Sequence, residues 1–149
     1  MFRLLVLSAA LACGSLGLPA LAQVAPTLPP AFETVSSETF ASSRSDTLLI
    51  DVREPAEWEQ TGAPAGAKLI SGSRSDFVEA VLEAVGGDKT KPVALICRSG
   101  NRSVRAAERL ASAGFALVTN VGDGMSGRDG VGQGWLAANL PLTRTAGGQ

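Results

Sequence analysis

The chain has 149 residues, of which 13 are basic and 14 acidic, so its formal net charge is only −1. This balance gives no reason to expect binding to nucleic acid or to an anionic membrane surface. Because the sequence contains no histidine, it also excludes a Ser/His/Asp triad, a Cys/His dyad and any metal site built on imidazole.

The first 22 residues are predicted to be a signal peptide. Arg3 precedes an apolar run, Leu4 to Leu18, that is short for a membrane span and is followed by Ala20-Leu21-Ala22. We expect cleavage after Ala22 and a periplasmic or secreted mature protein without stable membrane association. Lipidation at Cys13 in place of removal, and an uncleaved membrane anchor, are the two less favoured alternatives.

One folded domain is predicted after the signal peptide. A proline-containing extended lead-in is expected over 23–34, the domain over 35–143 and a flexible tail over 144–149. Apolar and β-branched runs predict strands over 48–52, 68–70, 93–96 and 117–121, and these alternate with helical patterns. The fold class is therefore α/β, with a parallel central sheet and helices on both faces.

Helix ends are predicted from local signals. Asp76 and Glu79 resemble a capping box that begins one helix, and Gly86-Gly87 would end it. Ser103 is the expected N-cap of the next helix, and Gly114 is its expected end. Trp58 and Trp135 are expected to pack in the core, not to bind a substrate.

The stretch Cys97 to Ser103, which reads CRSGNRS, joins the predicted strand 93–96 to this second helix. Free N–H groups and the helix dipole at a helix start favour negative charge, so a thiolate is stabilised there. Gly100 lets successive N–H groups point inward, and Arg98 and Arg102 add positive charge. The pattern predicts an anion cradle around a nucleophile. The simpler interpretation is that Cys97 is a small buried core residue.

Two other kinds of site are disfavoured by spacing. A cysteine phosphatase places five residues between its cysteine and a phosphate-binding arginine, whereas Arg102 comes one residue too early. Gly122, Gly124 and Gly127 spell GxGxxG, but the further glycines that follow disfavour the helix that a dinucleotide site requires. The stretch 122–134 is predicted to be an inserted loop near the site, either a mobile lid over Cys97 or a solvated surface loop.

The Cys97 loop and the upstream segment Leu48 to Ile70 together resemble a single-domain rhodanese, over about residues 35–141. The upstream segment contains an Asp-Val-Arg-x-x-x-Glu element, from Asp51 to Glu57, that is similar to the family's first signature. Asp51 and Arg53 end a strand and could reach the crevice, although a structural ion pair is the favoured interpretation. The chain lacks the histidine that the family often has in the turn at 62–67.

The resemblance implies a covalent sulfurtransferase in which Cys97 forms a persulfide. The loop would bind the substrate and stabilise the terminal sulfur, mainly through the backbone N–H groups of Arg98, Ser99, Gly100, Asn101, Arg102 and Ser103. The donor would be a small anion such as thiosulfate, or a polysulfide or persulfide. The acceptor would be a thiol or cyanide, and no metal or organic cofactor is implied.

The expected mature chain retains a single cysteine, so it has no resolving thiol and is not a thioredoxin-like oxidoreductase. Sulfur carried on Cys97 must therefore leave to an external acceptor. The alternative hypothesis is a catalytically idle rhodanese fold that docks a partner or carries sulfur without turnover. A relative of arsenate reductases or phosphatases is a third hypothesis, which the short loop disfavours.

Overall fold

The computed structural model describes residues 32–43 and 46–144. The predicted signal peptide, Cys13 and residues 145–149 of the predicted tail lie outside this part of the chain. The helices and strands follow one another along the chain as β1 (Glu33–Val35), α1 (Ser37–Ser43), β2 (Leu48–Asp51), α2 (Pro55–Thr61), β3 (Ala63–Pro64), β4 (Lys68–Leu69), α3 (Phe77–Ala84), β5 (Val93–Ile96), α4 (Asn101–Ser112), β6 (Val118–Val121) and β7 (Leu142–Thr143).

Five strands form one parallel sheet in the order β1-β6-β5-β2-β4, and β3 pairs with β7 in a separate antiparallel ribbon. β5 lies in the middle, and all four of its residues are fully buried. A strand buried on both faces has to be apolar throughout, which explains its Val-Ala-Leu-Ile sequence. The predicted α/β class with a parallel central sheet is confirmed.

Each face of the sheet is covered by its own apolar cluster. On one face, Phe77 and Val81 of α3 and Leu110 of α4 pack against the strands. On the other face, Phe40 of α1 packs beside Trp135, with 6.5 Å between the ring centroids. The predicted helices on both faces are therefore present. Trp135 and Trp58 are both buried, as predicted for packing residues.

The start of α4 differs from the prediction that Ser103 is its N-cap. The helix begins at Asn101, and Gly100 is the N-cap residue, with a left-handed φ of 85°. Glycine adopts this conformation without a Cβ penalty, so the chain turns into the helix three residues earlier than expected. Ser103 consequently lies within the first turn. The other end is as predicted, because α4 stops at Ser112 and Gly114 follows with φ 88°.

The predicted capping box at α3 does not form. Asp76 is the N-cap residue, but its carboxylate binds the guanidinium of Arg74 at 2.7 Å and makes no capping hydrogen bond. A capping box forms instead at α2, where Glu54 and Glu57 exchange side-chain and backbone hydrogen bonds. An ion pair with a close neighbour thus replaces the expected cap. α3 ends at Ala84, just before Gly86-Gly87, as predicted.

The sheet begins slightly earlier than the predicted domain boundary at residue 35. Glu33 and Thr34 belong to β1 and pair with Thr119 and Asn120 of β6. The last two residues of the predicted lead-in over 23–34 are therefore part of the fold. None of the helices within 32–43 and 46–144 is both long enough and apolar enough to cross a bilayer.

Candidate active site

Cys97 follows β5 directly and lies where the carboxyl ends of the parallel strands meet. Its predecessor Ile96 is in register with Asp51 at the end of β2 and with Val121 at the end of β6. Ligand sites of open parallel sheets lie at this edge, and α4 begins four residues after the cysteine. The Cys97 thiol is free and only 1% exposed, so the surrounding loop shields it from bulk solvent.

The loop after Cys97 offers a run of unused backbone donors. Within the described residues, none of the N–H groups from Arg98 to Ser103 donates to another protein atom. The last three of them belong to the first turn of the 12-residue helix α4, where such groups are free by geometry. Free donors of this kind, together with a helix dipole, favour an anion at their position.

Ser103 is the side chain that approaches the sulfur. Its hydroxyl oxygen lies 3.4 Å from Sγ of Cys97 and 3.1 Å from the carbonyl oxygen of Gly100. The hydroxyl has one proton and can donate it to either group. When the sulfur carries negative charge, donation to sulfur becomes the stronger of the two interactions. The residue expected to cap the helix is thus placed to stabilise a thiolate.

The two arginines of the loop have different partners. Arg102 donates two hydrogen bonds to Glu57, with distances of 2.6 and 2.7 Å from its Nη atoms to the carboxylate oxygens. The hydrogen bonds from Arg102 lower the pKa of Glu57 from 4.5 to about 2. Arg98 is exposed, and its guanidinium has no partner among the described residues. Of these two cations, only Arg98 is uncommitted.

Arg98 also lines a cleft that opens beside the cysteine loop. The cleft has a volume of about 120 Å³ and lies between α2, the loop and the glycine-rich segment that follows β6. Ser99 is half-buried, and Asn101 is exposed on the first turn of α4. The cleft is lined by Arg53, Glu57, Gln60, Thr61, Arg98, Met125, Ser126 and Leu136.

Asp51 and Arg53 form a buried ion pair below this cleft. Nη2 of Arg53 lies 2.7 Å from Oδ2 of Asp51, and the two side chains are 2% and 0% exposed. The guanidinium also donates to the Thr61 hydroxyl at 2.8 Å and to the Gly62 carbonyl at 2.7 Å. Asp51 and Arg53 therefore form the structural ion pair that the sequence analysis favoured. It ties the end of β2 to the end of α2.

The glycine-rich segment holds the cysteine loop from the other side. The N–H of Met125 donates to the carbonyl of Cys97, and that of Ser126 donates to the carbonyl of Arg98, both at 2.9 Å. A Cβ on Gly124 would lie 2.5 Å from the Cys97 carbonyl oxygen, so the close approach requires glycine there. Residues 122–125 are buried, and the interpretation of a solvated surface loop is wrong for them. Over the described residues 128–144, the chain after the GxGxxG pattern forms turns and the short strand β7.

A buried carboxylate that the sequence analysis missed anchors this segment. Asp123 is 0% exposed and accepts hydrogen bonds from the N–H and hydroxyl of Ser37, at 2.8 and 2.7 Å. Its other oxygen accepts from the N–H of Gly134 at 3.0 Å. The sequence signal was an acid between two glycines directly after a buried strand. Among the described residues, no group of three or more His, Cys, Asp or Glu side chains could hold a metal ion.

Comparisons with known proteins agree on one family. Residues 38–128 match the family described as "Rhodanese-like domain". The thiosulfate sulfurtransferase GlpE of Pseudomonas syringae is 36% identical over 77 residues, which cover 52% of this chain and 67% of that protein. An uncharacterized protein of Rickettsia conorii is 33% identical over 105 residues, covering 66% and 85%. The polysulfide-sulfur transferase homodimer of Wolinella succinogenes superposes with a TM-score of 0.59 at 28% identity, covering 78% and 81%.

Proposed function

The chain belongs to the rhodanese-like family, and we propose that it is a sulfurtransferase that moves sulfane sulfur through a persulfide on Cys97. The observation that carries the proposal is the position of the thiol: a free cysteine beneath a loop whose backbone donors, from Arg98 to Ser103, have no protein partner among the described residues. Two similar proteins are described as sulfurtransferases, one acting with thiosulfate and the other with polysulfide. We take thiosulfate as the donor to be tested first.

The proposed reaction has two steps. In the first, the Cys97 thiolate attacks the outer sulfur of thiosulfate, the sulfur–sulfur bond of the donor breaks, and sulfite leaves with the bonding electron pair. The product is a cysteine persulfide with its negative charge on the terminal sulfur. In the second, a thiolate or cyanide attacks that terminal sulfur and regenerates the Cys97 thiolate. Neither step needs an external oxidant or reductant.

The loop would act on the charge that moves through these steps. A persulfide extends about 2 Å beyond Sγ, which carries the terminal sulfur toward the free N–H groups of the loop. Donors aimed at developing charge in a site shielded from water stabilise it more than water does, in the manner of an oxyanion hole. Ser103 would stabilise the thiolate before attack and after transfer, because its hydroxyl lies 3.4 Å from Sγ.

Burial of the thiol bears on the acceptor. Since Cys97 is 1% exposed, an acceptor has to enter the crevice as a narrow group, such as cyanide or the thiol of a small molecule or an extended side chain. Arg98, which lines the adjacent cleft and has no partner in the described part of the chain, would orient an anionic donor. The partners we propose are therefore a small anionic sulfur donor and a thiol or cyanide acceptor.

Intact mass spectrometry tests the proposal directly. The protein is incubated with thiosulfate, desalted and weighed, and then treated with cyanide and weighed again, with Cys97→Ser as the control. We expect the wild type alone to gain one sulfur atom and to lose it to cyanide with release of thiocyanate. Failure of the reduced wild type to take up sulfur from either thiosulfate or polysulfide would overturn the proposal and favour a partner-binding module.

A further inference from the structure

Arg128, in the exposed part of the glycine-rich segment, reaches the cysteine loop from outside it. A Cβ placed on Gly100 would lie 3.2 Å from Nη1 of Arg128, so the guanidinium packs against the backbone where the loop turns into α4. Gly100 is buried and left-handed, and its missing side chain leaves room first for the carbonyl of Gly122 and then for this guanidinium. The guanidinium of Arg128 therefore lies beside the turn at Gly100 that leads into α4.

The backbone beneath this arginine is fixed. Arg128 and Gly132 exchange two hydrogen bonds, at 2.9 Å from the N–H of Arg128 and at 3.1 Å from the N–H of Gly132. The N–H of Gly127 donates to the carbonyl of the buried Asp123 at 3.0 Å. A side chain carried on such a closed turn starts from a defined position beside the loop, which reduces the entropy lost when it binds an anion.

In the described part of the chain, the positive charge of Arg128 has no ion-pair partner. Within the described residues, no carboxylate or carbonyl accepts a hydrogen bond from its guanidinium. Arg102, which is part of the loop itself, is bound at both Nη atoms by Glu57. Among the described residues, two cations near the loop have guanidinium groups without a protein partner: Arg98, on the side of the cleft, and Arg128, against Gly100.

We propose that Arg128 is a substrate-binding residue that selects doubly charged sulfur donors by holding their sulfonate oxygens. This inference rests on the proposed function and deepens it. A sulfonate group presents three oxygens, so it can accept hydrogen bonds from Arg98 and Arg128 together while its outer sulfur faces Cys97. A sulfur donor that carries one negative charge less is attracted less strongly by the pair of arginines. Of the two arginines that the loop sequence suggested, Arg98 and Arg102, the second is bound to Glu57 and ties α4 to α2.

The test compares two donors with the same reacting sulfur but different charge. Thiosulfate is a dianion, and methanethiosulfonate is a monoanion, and each transfers its outer sulfur to cyanide. For Arg128→Gln we expect kcat/KM with thiosulfate to fall about tenfold, as for loss of one charge-assisted contact in a partly exposed site. The loss should appear in KM, with kcat nearly unchanged, and should be smaller with methanethiosulfonate. Arg128→Lys should restore most of the activity with thiosulfate.

Arg105→Gln is the matched control, because Arg105 is an exposed arginine of α4 that lines a different groove, beside Gly72 and Ser73. It removes the same charge and should leave both donors at wild-type rates. An equal loss from Arg105→Gln would show that only net charge matters and would overturn the inference. So would an unchanged KM for thiosulfate in Arg128→Gln when the wild type takes up sulfur normally. If the wild type takes up no sulfur at all, the proposed function fails, and the inference fails with it.

Discussion

Replacing Asp51 by Asn should destabilise the fold by a large fraction of its total stability. The substitution keeps the shape of the side chain but leaves the Arg53 guanidinium, 2% exposed, without its counter-charge. The substitution also replaces one carboxylate oxygen by an amide NH2 group, which is a donor. In the wild type, the two oxygens of Asp51 accept three hydrogen bonds from the Arg53 side chain. Removing one partner of a buried ion pair costs about 3 to 5 kcal/mol. Domains of this size are stable by only about 5 to 15 kcal/mol.

The chain supplies its own control for burial. Arg74 and Asp76 form a second arginine–aspartate pair with the same sequence separation and the same 2.7 Å distance, but their side chains are 51% and 56% exposed. Because water screens an exposed pair, Asp76→Asn should leave the unfolding midpoint within experimental error of the wild type. The two substitutions are chemically identical, so the difference between them measures the effect of burial.

Equilibrium unfolding in urea, followed by circular dichroism, measures the free energy of unfolding of Asp51→Asn and of Asp76→Asn. The values can be compared if each variant keeps the slope of the wild-type transition. A double variant, Asp51→Asn with Arg53→Met, should be no less stable than Asp51→Asn alone, since it removes the unpaired charge. Equal midpoints for Asp51→Asn and Asp76→Asn would refute the reasoning. So would a double variant that loses the sum of two large, independent effects.

Two further predictions concern the walls of the site. The pKa of Glu57 is lowered from 4.5 to about 2 by its hydrogen bonds from Arg102, so the pair stabilises the fold above pH 4.5, and this contribution is lost as the pH falls toward 2. The stability difference between the wild type and Glu57→Gln should therefore shrink over that range in acid titrations of unfolding, and a constant difference would contradict the assignment. Gly124→Ala places a Cβ 2.5 Å from the Cys97 carbonyl oxygen, whereas Gly130→Ala has a similar positive φ, 75° against 62°, with nothing within 4 Å. Both variants pay about 1 kcal/mol for the left-handed backbone, and Gly124→Ala should lose roughly 1 to 3 kcal/mol more in urea unfolding and take up sulfur more slowly; equal losses would show that the close contact is unimportant.

Local sequence was sufficient for the elements that carry the cysteine. The Val93–Ile96 strand is apolar at every position because it is buried in the middle of the sheet, and the spacing of apolar residues after Cys97 matches α4. A buried strand followed by a helix in an α/β pattern has few arrangements, so the position of Cys97 at the carboxyl edge followed from the pattern.

Helix starts were less predictable, because several residue types can perform the same capping role. Ser103 has the side chain of an N-cap, yet the left-handed conformation of Gly100 starts α4 before it. Asp76 is correctly placed to cap α3, but a stronger charged partner, Arg74, takes its carboxylate. In both cases a competing local interaction, invisible in the spacing, decided which group was satisfied.

The sequence by itself determined the fold class, the central strand and the position of Cys97 before a loop of backbone donors. Tertiary structure alone decided which charged side chains near Cys97 are paired with others. Glu57 neutralises Arg102 across 45 residues, and Asp123 accepts from Ser37 across 86, because the sheet brings those elements together. Periodicity and motifs report interactions within one element or one turn, whereas the pairing of distant side chains depends on how elements pack. For that reason the position of Arg128 beside Gly100, unpaired within residues 32–43 and 46–144, could be found only in the folded chain.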